Sequence, residues 1–310
     1  MLLTSNATKY MDMEGRWVQQ LFTPKCNNSQ AAIVNCDLPF FKTKVTTDQA
    51  IRINKLFSYD DERNLIIPSC TYDKPPGPWE WCHFPSSNST VKQKLLILGN
   101  SYAANQGKVI YDACARNNID AAVYTKPVCE SLVDHKEKWA CKGLHKDFSK
   151  AVADYKPDIL FLLFRHLTWM DTPKTAIPDP LVENAVPILR NLEEHVNLHV
   201  FVLNALPRPR NGYQETYHAI LRANKSMDQS LLYNTTTHYE AARWRIEQLA
   251  KNCQKCSVID YTPLFTFNGT FNFVDERTKV AYMNDAKHFT PLGLYYLQKL
   301  YKDMCDKIDW

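Results

Sequence analysis

No run of eighteen apolar residues occurs in the 310-residue chain, so no stretch has the length that a membrane-crossing helix needs. The opening residues, MLLTSNATKYMDMEGRW, lack the basic start and long apolar core of a secretory leader. Internal repeats and low-complexity tracts are missing too, which sets solenoids and compositionally disordered chains aside. A strong charge of either sign is also lacking: the formal net charge is +4 and the lysines are scattered, so a nucleic-acid partner is not expected. Cys253-Gln254-Lys255-Cys256 has no second Cys-x-x-Cys or His-x-His to complete a zinc site, and neither metal nor cofactor is expected.

What is present suits a folded, extracytosolic protein. With 45% hydrophobic and 23% charged residues, the chain can bury one core of ordinary enzyme size, with an appendage. The ten cysteines are Cys26, Cys36, Cys70, Cys82, Cys114, Cys129, Cys141, Cys253, Cys256 and Cys305. This even number fits an oxidising compartment and leaves the pairing open. Asn-x-Ser/Thr glycosylation acceptors begin at Asn6, Asn27, Asn88, Asn224, Asn234 and Asn268, mostly in polar, loop-like stretches. The expectation is the secretory lumen or the cell exterior, as a membrane-tethered portion of a longer protein or a chain without its leader. The competing reading is a cytosolic protein with reduced cysteines and unused acceptors.

Residues 1–92 hold four cysteines and the segment KPPGPWEWC around Trp79 and Trp81, without strand-helix alternation. They read as a disulfide-pinned extension, and 93–310 as the main domain, which carries the candidate residues below. From Lys94 the run KLLILGN ends in a turn and is followed by helical spacing over 104–117. Further apolar runs at AAVYT, DILFLLF, NLHVFVLNAL and SVIDY alternate with helical stretches near 144–155, 181–195 and 238–252, before a closing helix from Pro291. Continuous apolar strands between amphipathic helices predict a three-layer α/β/α sandwich with a mainly parallel sheet, flavodoxin-like in plan. Ligands of such sheets sit beyond the carboxyl ends of the strands.

Gly99-Asn100-Ser101 falls at such an end. The small residue permits a sharp turn, and the serine can present its hydroxyl and its own N–H to one space. The plainer reading is a helix-capping serine. Near the other end, Asp285-Ala286-Lys287-His288 precedes Thr290-Pro291, a good helix start. A carboxylate three residues before an imidazole can reach the ring's inner nitrogen and fix its tautomer. The plainer reading there is a polar loop.

Taken together, ILGNS after the first core strand and DAKHFTPLG before the last helix resemble the first and last blocks of the SGNH, or GDSL-like, hydrolase superfamily. The resemblance is to the SGNH domains appended to integral-membrane acyltransferases, nematode members included, and covers roughly 75–310. It implies that Ser101 attacks an acyl carbonyl, that His288 takes and returns the proton, and that Asp285 orients the imidazole. Gly99 permits the turn, and Asn100 stands where many relatives have Asp. The usual Gly-x-Asn-Asp block is absent, and the matching position reads Arg165-His166-Leu167-Thr168-Trp169. Arg165 and Asn105 are therefore candidates for oxyanion or substrate contacts, against plainer readings as a carboxylate partner and a polar helix residue. Trp79, Trp81 and Trp169 could form a sugar platform or simply pack. His199 reads as packed core, His166 stays open, and Leu294, Leu297 and Leu300 read as core.

The resemblance implies transfer of an acyl group, acetyl above all, through an acyl-Ser101 intermediate to a carbohydrate or other lumenal hydroxyl. The partners would be an acyl donor, a carbohydrate-like acceptor and a membrane acyltransferase domain in the same longer protein. An esterase with the same triad and a non-catalytic binding module are the alternatives.

Overall fold

The computed structural model describes residues 16–23, 38–85, 93–114, 119–133, 141–166 and 170–308. Its centre is a seven-stranded sheet in the order β1-β2-β4-β3-β5-β6-β7. The strands are β1 (Thr71–Tyr72), β2 (Glu80–His83), β3 (Gln93–Gly99), β4 (Ile119–Thr125), β5 (Ile159–Leu163), β6 (His199–Leu203) and β7 (Cys256–Ile259). The five from β3 to β7 pair in parallel, while β1 and β2 extend the β4 edge antiparallel.

The apolar runs become strands because both of their faces are covered. Leu95 and Ile97 belong to one core cluster and Leu96 and Leu98 to the other, following the two-residue alternation of strand side chains. Helices α1 (Thr47–Tyr59), α3 (Ser101–Cys114), α6 (Tyr213–Arg222), the short α8 (Thr262–Phe265) and α9 (Pro291–Cys305) contribute to the first cluster through Ile53, Ile110, Tyr213, Phe265 and Leu297. The second cluster takes Phe148, Leu189 and Ile246 from α4 (Leu144–Tyr155), α5 (Pro180–Glu194) and α7 (Tyr239–Lys251). Each fully buried Leu or Ile contributes about 1.5–3 kcal/mol relative to exposure. The expected three-layer architecture is thus the observed one. Leu297 is buried, with Leu294 and Leu300 packed against it.

The sheet runs through the expected boundary at 92/93, because β2 pairs with β4 from the amino-terminal side. So does the packing: α1, started by a capping box of Thr46 and Gln49, and the short α2 (Asp61–Leu65) lie against the segment before α9. Disulfides join Cys70–Cys82, Cys114–Cys305, Cys129–Cys141 and Cys253–Cys256; Cys26 and Cys36 lie outside the described residues. The Cys-x-x-Cys of the sequence is therefore a closed disulfide. Among the described residues no helix is long and apolar enough to cross a membrane.

The loop after β5 is held by Arg245, which is only 1% exposed. Its guanidinium donates to the carbonyls of Met170, Thr172 and Pro173 at 2.6–3.1 Å and to both sides of the Asp179 Oδ2 at 2.9 and 3.0 Å. Asp179 in turn accepts from the first N–H groups of α5. Arg245→Ala would strand a buried carboxylate and three carbonyls, so the expected loss is about 3–5 kcal/mol in a urea unfolding titration.

Candidate active site

The turn after β3 is shaped by a close approach. Gly99 pairs with Leu163 of β5, and a Cβ at Gly99 would lie 2.0 Å from the Leu163 carbonyl oxygen, so no side chain fits. Asn100, 1% exposed, then ties the two strand ends together. Its Oδ1 accepts from the backbone N–H groups of Arg165 and Tyr102, and its Nδ2 donates to the Arg165 carbonyl, each at 3.1 Å. An aspartate could make the first two bonds but not the third, which accounts for the asparagine. Asn100, not Ser101, is thus the residue that caps α3. Ser101 is the first helical residue, and its N–H is one of those at a helix start that no helical carbonyl can reach. The turn lies where strand order reverses, with β4 on one side of β3 and β5 on the other, the place at which such sheets bind ligands.

His288 lies in an irregular segment that amide side chains fasten to the rest. Asn284 Oδ1 accepts from the His288 N–H at 3.0 Å. Asn105 accepts from the Phe289 N–H at 3.0 Å and donates to the Phe289 carbonyl at 3.1 Å, and Asn64 donates to the same carbonyl at 3.1 Å. Residues four apart share a helix face, so Asn105 sits on the face of α3 that carries Ser101 and holds the residue next to His288 there. The ring of His288 stands edge-on to Tyr102, centroids 6.4 Å apart. The residue is 6% exposed, and its Nε2 is buried without a hydrogen-bond partner among the described residues.

The inner nitrogen is engaged, but by a residue that sequence spacing did not indicate. His288 Nδ1 lies 2.8 Å from Oδ1 of Asp61, at the start of α2. Asn284 Nδ2 also donates to Asp61 and to the Phe57 carbonyl, closing a ring of Asn284, His288 and Asp61. Burial alone would raise the Asp61 carboxyl. Hydrogen bonds from His288 and Asn284, with the positive charges of His288 and Arg165, instead hold it below the usual carboxylate range. Asp285 turns elsewhere: its Oδ1 accepts from the Gln214 N–H at 3.3 Å, its own N–H donates to Ser58 Oγ at 3.1 Å, and burial pushes its carboxyl up. It lines a separate cleft of about 340 Å³ with Lys55, His218 and Arg222. The Asp-x-x-His spacing does not bring these two side chains together, because Lys287 between them takes a left-handed conformation with φ +68°.

Arg165 donates from Nη1 to the Ala286 carbonyl at 2.7 Å, its guanidinium carbon lies 6.0 Å from the Tyr102 ring centroid, and its Nε is buried without a partner among the described residues. No carboxylate lies within ion-pair distance of it among the described residues, unlike Arg208, which pairs with Asp171. Arg208 and Arg165 are near enough for Arg165 to lower the Arg208 pKa, after the larger effect of burial. The cavity they share with Tyr102 and His166 is about 10 Å³, space for one water. Asn105 has its carbonyl and one N–H committed to Phe289.

The remaining candidates pack. His166 donates from Nε2 to the Leu203 carbonyl, 3.2 Å away, and burial lowers its pKa. His199 lies on Phe201 at 4.3 Å, and Trp81 on Tyr124 at 4.8 Å. Trp169, Asn6, Asn27 and Asn88 lie outside the described residues. Asn224 and Asn268 are exposed and Asn234 is partly so. Among the described residues no group of three or more His, Cys, Asp or Glu is placed to hold a metal. Asp61 escaped sequence analysis; the Thr-x-x-Gln box at Thr46 and the Ala50-Ile53-Phe57 spacing were the available signals that its helix packs on the core.

A parallel sheet with a serine at its switch point and a buried histidine before its last helix defines an α/β protein of the SGNH type. The chain belongs to the SGNH domain family, the domain fused to AT3 domains, whose model matches residues 69–303. Among solved structures, the periplasmic domain of a lipopolysaccharide acetyltransferase from Salmonella ser. Paratyphi A superposes with a TM-score of 0.53 at 11% identity, covering 72% of this chain and 87% of that one. A Bacteroides fragilis protein assigned as an acylhydrolase gives 0.41 at 13% identity, covering 72% and 90%. Among curated proteins none matches the sequence.

Two measurements check this geometry. Asn105→Ala leaves the buried Phe289 N–H without its acceptor and should cost about 1–3 kcal/mol of stability in denaturant titrations. Because the Asp61 pKa is depressed in the folded state, its contribution is present at neutral pH and lost in acid. The stability gap between wild type and Asp61→Asn should therefore narrow as the pH falls below about 4.

Proposed function

We propose that the domain transfers an acyl group through an acyl-Ser101 intermediate, with His288 as the general base and acid. One observation carries this reading: the buried, unpartnered Nε2 of His288, on a segment that Asn105 holds against the Ser101 face of α3. The Ser101 hydroxyl proton passes to Nε2 as Oγ bonds to the acyl carbonyl carbon. The tetrahedral adduct collapses, the donor oxygen leaves with that proton, and the serine ester remains. An acceptor hydroxyl then gives its proton to Nε2, attacks the ester and restores Ser101. The Ser101 N–H and the open donors of Arg165 are the groups proposed to receive the developing oxyanion; a missing donor of this kind costs about 3 kcal/mol of transition-state stabilisation.

Fusion to AT3 domains in the family supports a membrane acyltransferase domain as the donor's source. The lipopolysaccharide acetyltransferase neighbour motivates a carbohydrate hydroxyl as acceptor and acetyl as the group moved. The four disulfides fit a lumenal or extracellular setting, where Asn224, Asn234 and Asn268 would be open to glycosylation. Water in place of the sugar hydroxyl would make the same centre an esterase.

A fluorophosphonate probe should label the wild-type chain at Ser101. Ser101→Ala should abolish labelling, and His288→Ala should slow it by about a thousandfold or more. Acetyl transfer from an acetyl ester to an oligosaccharide, measured beside acetate release, separates transferase from esterase. Wild-type protein that takes up no label while an active SGNH enzyme does would leave only a binding role.

A further inference from the structure

We propose that Asp61, and not Asp285, is the positioning carboxylate of the site, fixing the tautomer of His288 and carrying the counter-charge when its ring is protonated. This rests on the acyl-transfer reading for its consequence in rate, but the pairing itself stands on geometry. The Asp61 carboxylate is the hydrogen-bond partner of His288 Nδ1, at 2.8 Å, and its side chain is 18% exposed. A proton on Nδ1 leaves Nε2 as the acceptor, which is the form a general base needs. Asp285 has its carboxylate on the Gln214 N–H and on the wall of another cleft.

The approach of Asp61 is built, not incidental. Asn54 of α1 donates to the Lys279 carbonyl at 3.0 Å and accepts from the Ala281 N–H at 2.8 Å, a strand-like pairing made by one side chain. Ser58 accepts from the Asp285 N–H, Asn64 donates to Phe289, and Asn284 donates to Phe57 and Asp61. These contacts bracket Asp61 on both sides along the chain and leave it facing one ring. Asp61 also precedes residue 69, where the match to the family model begins. The carboxylate therefore comes from a segment the family model does not include, and the helices before the SGNH region become part of the catalytic centre.

The charged groups that bear on the pair are Arg165, on the Asp61 side, and Lys287 with Arg208 beyond it; substitutions at Asp61 leave all three in place. The test compares Asp61→Asn with Asp285→Asn in the full chain, by the rate of fluorophosphonate labelling and by the low-field proton resonance of a ring Nδ1–H bonded to a carboxylate. Asp61→Asn presents an amide that can donate to Nδ1 and reverse the tautomer, so labelling should slow by roughly 10³–10⁴-fold and the resonance should vanish. Asp285→Asn should keep the resonance and label within about tenfold of wild type.

Loss of the resonance and of labelling in Asp285→Asn, with both retained in Asp61→Asn, would overturn the assignment. Should Asp61→Asn fail to fold, Asp61→Glu keeps a carboxylate near the ring and should keep the resonance, and a fall beyond a hundredfold in Asp285→Asn would count against the proposal by itself. An Asp61-dependent resonance in a chain that takes no label would uphold the pairing and remove acyl transfer.

Discussion

The segment from about residue 279 to 290 is buried yet forms almost no regular secondary structure, so its backbone groups must find partners elsewhere or leave the protein unstable. Nearby backbone supplies some of them, and asparagine side chains supply several more. A carboxamide holds a donor and an acceptor side by side and can mimic a peptide edge. Asn54 and Asn105 do so on Lys279, Ala281 and Phe289, while Asn64 adds a bond to Phe289 and Asn284 bonds the His288 N–H and the Phe57 carbonyl. The positions of His288 and of its neighbours follow from this set of bonds. Asn100 applies the same device across the sheet, joining the ends of β3 and β5.

The consequence is a site whose precision comes from helices and strands although its histidine lies on a loop. The chain brings Ser101 from the turn after β3, Arg165 from the loop after β5, His288 from just ahead of the last helix and Asp61 from an amino-terminal helix. Arg165, His288 and Asp61 are each held by a bond to a segment other than their own. The electrostatics agree with that arrangement: Asp61 stays ionised between a ring and a guanidinium, whereas Asp285, with a single backbone donor, is pushed the other way. Two carboxylates within one neighbourhood thus have different fates, decided by how many donors each receives.

The sheet was legible because its signal is local. KLLILG and DILFLLF are apolar on both faces, and only a sheet covered on both sides accommodates that. Gly99 and Ser101 could be located from such a strand end, and Asn105 and Arg165 could be marked as polar residues near it, but their partners could not be read. Asn105 reaches Phe289 across 184 residues and Asp61 reaches His288 across 227, distances at which spacing carries no information. Asp285 misled for the complementary reason: a local spacing compatible with contact was overridden by a left-handed Lys287 and a competing N–H from α6. Before residue 93 the cysteines and prolines carry the stronger local pattern, and the helical spacing of α1 is short beside it.

The bond between Cys114 and Cys305 links the far ends of α3 and α9, whose near ends carry Ser101 and adjoin His288. Together with the polypeptide between them it makes a covalent ring that contains most of the sheet. A protease that cut an exposed loop anywhere inside that ring would open the chain without releasing a fragment. Ser101 and His288 would stay on one molecule, and in an oxidising medium the domain could be nicked and remain whole.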